Sequence, residues 1–203
     1  MVNFFKIEKD EEFVIKKRGE YLFFLDNFSG SLKVVLNHPE SSAFIFGVYI
    51  GTTDNEFKLN TYQIHKIEKS FSNLLIKGVF FDKSRFFYKG LIRIEKGADK
   101  SHAYQKNQNL MLSNTCFVES NPYLEILAND VFCTHGATTS YLDKEQMFYL
   151  KTRGLNEKEA TSLLVEGFLF DVFDQMERIL GKNKTEPLYK ETKEKLLLTL
   201  KSL

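Results

Sequence analysis

From about residue 12 to residue 133 the chain offers a succession of short β-branched and aromatic runs, punctuated by Gly, Asn, Asp, Ser and Lys and interrupted by no long helical pattern. Phe13–Ile15, Tyr21–Leu25, Leu32–Leu36 and Ala43–Ile50 come first. Leu74–Ile76, Val79–Phe81, Phe86–Tyr88, Leu91–Ile94, Leu110–Leu112 and Leu124–Ile126 follow. A series of that kind suits a sandwich, a barrel or a β-helix. Asn-Gly and Asp-Gly hairpin turns are absent, which favours a parallel β-helix. With 20 Phe, 9 Tyr and no Trp, the core must be built from Phe, Ile, Leu and Val.

After residue 140 the pattern turns helical. Asp143 followed by Gln146 supplies an N-terminal cap and Gly154 a stop, predicting a helix over 144–153. Asn156 with Glu159 repeats the start signal, and Ala160, Leu163, Leu164, Phe168 and Val172 continue at helical spacing towards Gly181. Pro187 is expected to open a third helix with Leu196, Leu197, Leu200 and Leu203 as its apolar stripe. The expected division is a mainly β core over 1–138 and an α-helical C-terminal subdomain over 139–203.

Balanced charge removes one class of function. The 28 basic and 27 acidic residues leave a net +1, too little field to make nucleic acid or an anionic membrane the main partner. No window holds the roughly 20 apolar residues that span a bilayer, and charge breaks the N-terminus too early for a secretory signal, so the cytoplasm is the expected location. Cys116 and Cys133 are too few for a disulfide framework and lack zinc-site spacing. Neither a Walker A loop, a Gly-x-Ser-x-Gly elbow nor a His-Glu-x-x-His motif occurs, so no enzymatic activity is expected.

Several blocks in fixed order then point to one family. Tyr88–Ile94 with Gly97-Ala98-Asp99-Lys100, the run Ala103–Ser113, Pro122–Ile126, Asn129-Asp130-Val131, Cys133–Thr138, Phe148–Gly154 and Gly167-Phe168 resemble the SufB/SufD family of iron–sulfur cluster assembly scaffolds. The resemblance runs from about His65 to Asp174 and implies a right-handed parallel β-helix with a helical C-terminal region. Asn107 stands where SufB-type members carry a cluster-building cysteine, and Cys133 and Gly136 also depart from SufB, so the resemblance is to the SufD-like branch. The first 60 or so residues match faintly, as in a shortened member.

The resemblance implies a non-catalytic scaffold that pairs with SufB and binds the SufC ATPase, with a homodimer as the alternative assembly. The iron–sulfur cluster would be transient at the interface, not an intrinsic cofactor. His135 is the first candidate ligand, set against a histidine that caps a turn; Cys133, two residues earlier on the same strand face, is the second, set against a small core residue. Cys116 reads as core, and Glu125 as an exposed ladder residue that could offer carboxylate oxygen to iron. Phe148, Arg153 and Phe168 are the expected partner-binding residues of the helical hairpin, with Met147, Tyr149, Lys151, Glu166, Phe170 and Phe173 around them. A β-helix protein that binds or processes carbohydrate on an exposed aromatic face is the rival reading; no carboxylate pair at catalytic spacing can be located for it.

Overall fold

In the computed structural model, which describes residues 2–201, the chain winds through strands β1 (Asn3–Ile7), β2 (Glu11–Ile15), β3 (Gly19–Asp26), β4 (Gly30–Leu36), β5 (Ser41–Gly51) and β6 (Glu56–His65). It continues through β7 (Phe71–Phe80), β8 (Arg85–Ile94), β9 (His102–Met111), β10 (Phe117–Ile126) and β11 (Phe132–Ser140). Odd strands form one sheet, in the order β1-β3-β5-β7-β9-β11, and even strands the other, in the order β10-β8-β6-β4-β2; every pairing is parallel. Each odd–even pair is one rung of a parallel β-helix. The repeat, hidden in the side chains, is plain in the backbone. Glu40, Lys69 and Lys100 all take positive φ at one edge of the coil, and Asn27, Thr53 and Asp82 do so at the other. Backbone bonds such as Glu40 N to Lys69 O (3.1 Å) and Lys69 N to Asp99 O (3.0 Å) stack successive turns.

Rungs differ in length, the first being the shortest. Asn3 pairs with Tyr21, Ser42 with Phe71 and Arg85 with Phe117, so no single sequence period runs through the whole coil. Alternation sends Phe23, Leu25, Val34, Ile45, Ile76 and Phe86 between the sheets, where all are buried. Leu74–Ile76 and most of Val79–Phe81 belong to one strand, β7, and Phe86–Tyr88 and Leu91–Ile94 to one strand, β8. The glycines that interrupt these runs are there for close packing: a Cβ on Gly90 would collide with Tyr88 Oη and Gln105 Nε2, and one on Gly78 with the Phe80 ring.

Helices α1 (Lys144–Thr152), α2 (Glu157–Leu180) and α3 (Lys182–Lys201) complete the chain. Asp143 Oδ1 accepts from Glu145 N (2.7 Å) and Gln146 N (3.0 Å), and Asn156 and Glu159 close a reciprocal capping box. Gly181 takes φ 82° between α2 and α3. The third helix starts at Lys182, not at Pro187. Thr185 N already donates to Gly181 O (3.2 Å), and the proline is tolerated one turn in at the loss of the amide that would reach the Asn183 carbonyl. Leu196 and Leu200 are buried as the stripe requires; Leu203 lies outside the described residues.

The helices cover the outer face of the odd-strand sheet. Leu22, Phe24, Phe46, Val48, Leu75 and Val79 meet Val165, Leu169, Val172, Phe173 and Met176 there in one core. β3 and β5 are therefore apolar on both faces, which is why Tyr21–Leu25 and Ala43–Ile50 read as unbroken apolar runs. One charge penetrates this layer. Lys77, 6% exposed, ion-pairs with Asp171 Oδ2 at 2.7 Å, donates to Phe168 O at 3.0 Å and lies 4.8 Å from the Phe168 ring centroid. Asp171→Asn leaves that ammonium without its countercharge and is expected to cost about 1–3 kcal/mol; Lys77→Met, which removes the buried charge itself, should cost less. Urea unfolding midpoints of the two variants check the ranking.

Candidate functional site

The coil ends on an open rung. β11 pairs only with β9 and β10 only with β8, so each presents one unpaired edge among the described residues. Leu124 and Ile126 continue the inner columns of Ile92 and Ile94, yet no further rung of the described residues covers them and both are exposed. Tyr123 is 53% and Phe132 62% exposed, and Leu127 is exposed beside them. Exposed apolar side chains beside unpaired strand edges are the usual marks of an interaction surface.

β11 puts the two candidate ligands on this end. Cys133 stands in register with Ala103 and His135 with Gln105, both on the inner face, so the shared face expected from their spacing is present. Their surroundings differ. Cys133 is half-buried against Ile92, Ile94, Ala98 and Ala103, and burial pushes its thiol up to about 11. His135 is exposed in mid-strand, caps no turn and makes no hydrogen bond or ion pair among the described residues. No group of three or more His, Cys, Asp or Glu side chains that could hold a metal ion occurs among the described residues. Two side chains leave tetrahedral iron short of ligands, and the remainder would have to come from elsewhere.

Asn107 is buried inside the coil, where its Oδ1 accepts from Asn109 Nδ2 at 2.7 Å; an amide there has no nucleophilic chemistry. Glu125 stands outward in the ladder beside Arg93, 3.4 Å from its guanidinium. Cys116 is half-buried and its thiol donates to Ser113 O at 3.1 Å.

The helical hairpin divides the expected partner residues. Phe148 is 70% exposed on α1, a helix with no buried residue, and Tyr149 is exposed beside it under the Arg153 guanidinium, 5.1 Å from the ring centroid. Phe168 is only half-exposed and packs against the sheet and Lys77, while Phe170 and Phe173 are core. Lys151 pairs with Glu157 (3.3 Å) and Glu166 with Lys193 (3.4 Å). Between the α1–α2 hairpin and the end of β9 lies a cleft of about 460 Å³ lined by Met111, Leu112, Tyr141, Leu142 and Met147. The open rung and this cleft were not readable beforehand. Leu124 and Ile126 look like any core strand until it is known that their rung is the last.

Among the described residues no helix is long and apolar enough to cross a membrane. The family model described as the SufBD core domain of SUF-system iron–sulfur cluster assembly matches residues 26–168, extending the similarity well before His65. SufD of Escherichia coli K12 is 36% identical over 105 residues, 52% of this chain and 25% of that protein. SufD of Bacillus subtilis is 33% identical over 129 residues, 64% of this chain and 30% of that protein. A SufBD family protein of Mycobacterium tuberculosis H37Rv is 29% identical over 182 residues, 85% of this chain and 21% of that protein. The chain thus spans less than a third of the length of these relatives. With the motif order, the parallel β-helix and a family match across its whole centre, the chain belongs to the SufBD core family of iron–sulfur cluster assembly proteins and is SufD-like within it.

Proposed function

We propose that this chain is a non-catalytic scaffold that pairs through its open last rung with a SufB-like scaffold and holds a SufC-like ATPase on its α1–α2 hairpin. The observation that carries the reading is the apolar open rung, continuous with His135 and Cys133 on β11. The cluster is cargo at that seam. His135 offers an imidazole nitrogen, and Cys133 becomes a ligand only if iron displaces its proton, since burial favours the thiol. The partner supplies the remaining ligands. ATP hydrolysis belongs to the SufC-like subunit, whose binding would move the hairpin and, through Tyr141-Leu142-Asp143, the edge strand next to it. Hydrolysis and cluster chemistry are thereby kept on separate chains.

Co-purification with a SufC-like and a SufB-like protein tests this. The wild type should bring down both. Phe148→Asp should weaken capture of the ATPase at least tenfold, as expected for an exposed aromatic anchor, and leave the scaffold pair intact. His135→Ala should keep the assembly and lower the iron and sulfide recovered with it. Failure to bind either protein would sink the proposal, and glycan binding without response to the ATPase would favour the carbohydrate reading.

A further inference from the structure

The inward positions of the coil change character along its length. One level of the lumen is filled by Tyr49 opposite Leu59 in the rung of β5 and β6, and by Gly78 opposite Tyr88 in the rung of β7 and β8. In the rung of β9 and β10 the same level holds Asn109, in register with Gly78, and Ser120, in register with Tyr88. The pairing across the lumen follows from Gln105, whose Oε1 accepts from Gln63 Nε2 at 3.3 Å. Gln63 is in register with Ile92, and Ile92 with Leu124. Consecutive strands run in opposite senses, so two inward steps along β9 from Gln105 and two back along β10 from Leu124 reach Asn109 and Ser120. A glycine–tyrosine pair thus gives way to an asparagine–serine pair, smaller by more than the roughly 30 Å³ that one water occupies in the liquid.

Three polar atoms are left over at this level. Asn107 and Asn109 are each 1% exposed, and Asn109 Nδ2 donates to Asn107 Oδ1 at 2.7 Å and to Thr138 O at 3.5 Å. Asn107 Nδ2, Asn109 Oδ1 and Ser120 Oγ are buried and find no hydrogen-bond partner among the described residues. Turning both amides over keeps their mutual bond, loses the one to Thr138, and again leaves one donor and one acceptor. The neighbours supply nothing: Pro122, opposite Asn107, has no N–H, and Ala137, in register with Asn107, has no polar side chain. Buried polar atoms without partners are costly, so something must satisfy these. A water matches the set. It accepts from Asn107 Nδ2, donates to Asn109 Oδ1, and gives to or takes from Ser120 Oγ, whose hydroxyl rotates to suit. An anion would meet Asn109 Oδ1 and a cation Asn107 Nδ2, so the occupant has to be neutral and able to play both roles.

We propose that the lumen of the β9–β10 rung is a binding site for one resident water, held by Asn107, Asn109 and Ser120. The water occupies the level that the Tyr88 ring closes one rung earlier, and it belongs to the fold of the chain by itself, with no partner or cluster needed. Asn107 is then a water ligand in the wall of the last closed rung.

A high-resolution crystal structure of the full chain should show a single water within hydrogen-bonding distance of Asn107 Nδ2, Asn109 Oδ1 and Ser120 Oγ. In solution, oxygen-17 relaxation dispersion of the water signal should count one long-lived water fewer in Asn107→Leu, which removes the donor and fills the space. Ser120→Val, which fills it from the opposite wall, should lose the same water. The double variant should lose no more than either alone, because both changes act on one site. If the amides bond directly to Ser120 with no water between them, or if neither substitution changes the dispersion, the proposal fails. An ion or a larger molecule in the density would overturn it equally. Should a variant fail to fold, the wild-type crystal structure decides.

Discussion

Truncation after Ser140 is expected to yield aggregated, non-cooperative protein in place of a β-helix that has merely lost a docking module. The reason is the shared core. Removing α1–α3 would uncover Leu22, Phe24, Phe46, Val48, Ile50, Leu75 and Val79 on the outer face of the odd-strand sheet, all of them buried at present. Each such side chain contributes about 1.5–3 kcal/mol by burial, and even half the summed value rivals the roughly 5–15 kcal/mol that is the whole stability of an ordinary domain. Lys77 would also lose Asp171 and the Phe168 carbonyl. Expression of residues 1–140, followed by thermal melting and binding of a hydrophobic dye, checks this. A soluble fragment that melts cooperatively would show that the helices are dispensable to the coil. ATPase docking is accordingly better probed with Phe148→Asp, whose side chain faces solvent and whose loss should leave the melting temperature nearly unchanged.

What could be read in advance follows from which signals are local. Helix caps are local, and Asp143, Asn156–Glu159 and Gly181 act as their types dictate. Apolar runs reveal strands buried on both faces, so β3 and β5 stand out. Strands with polar interiors do not. β6 sends Thr61, Gln63 and His65 inward, and β11 is nearly all small and polar, so neither looks like a strand without its neighbours. Pro187 misleads because a first-turn preference is weaker than the capping geometry around Gly181. The site was legible only in part. That Cys133 and His135 share a face follows from strand geometry, but that one is packed and the other bare depends on being on the last rung, a property of the coil as a whole. The resemblance carries identity where periodicity does not, because rungs of unequal length leave no single period along the coil.

Acid should unfold this protein earlier than its carboxylates alone require, and His65 is the cause. The ring is buried on the inner face of β6, with Nδ1 2.7 Å from Ser70 Oγ and Nε2 2.8 Å from Ser72 Oγ; Ser70 Oγ in turn lies 3.0 Å from Ser101 Oγ. No carboxylate is among these partners, so nothing repays the desolvation of an imidazolium, and burial lowers the pKa from 6.5 to about 4. The folded ring is therefore neutral where the unfolded one begins to charge. Between about pH 6.5 and pH 4 the unfolded chain binds more protons, so stability falls as pH falls through that window and levels off below it. At about 1.36 kcal/mol per pKa unit, the loss approaches roughly 3 kcal/mol by about pH 4, and above about pH 7 the group contributes no pH dependence. His65→Gln removes the titration while keeping an amide able to hydrogen-bond. It should be less stable than wild type at about pH 7.5, because glutamine cannot span both serines, yet its stability should decline less steeply as the pH falls from about 6.5 to about 4. Carboxylates elsewhere titrate in both proteins and cancel in the difference. Urea unfolding at several pH values across the window gives that difference directly. Parallel curves for the two proteins would mean that His65 charges in the folded state, and that the serine cage opens to water.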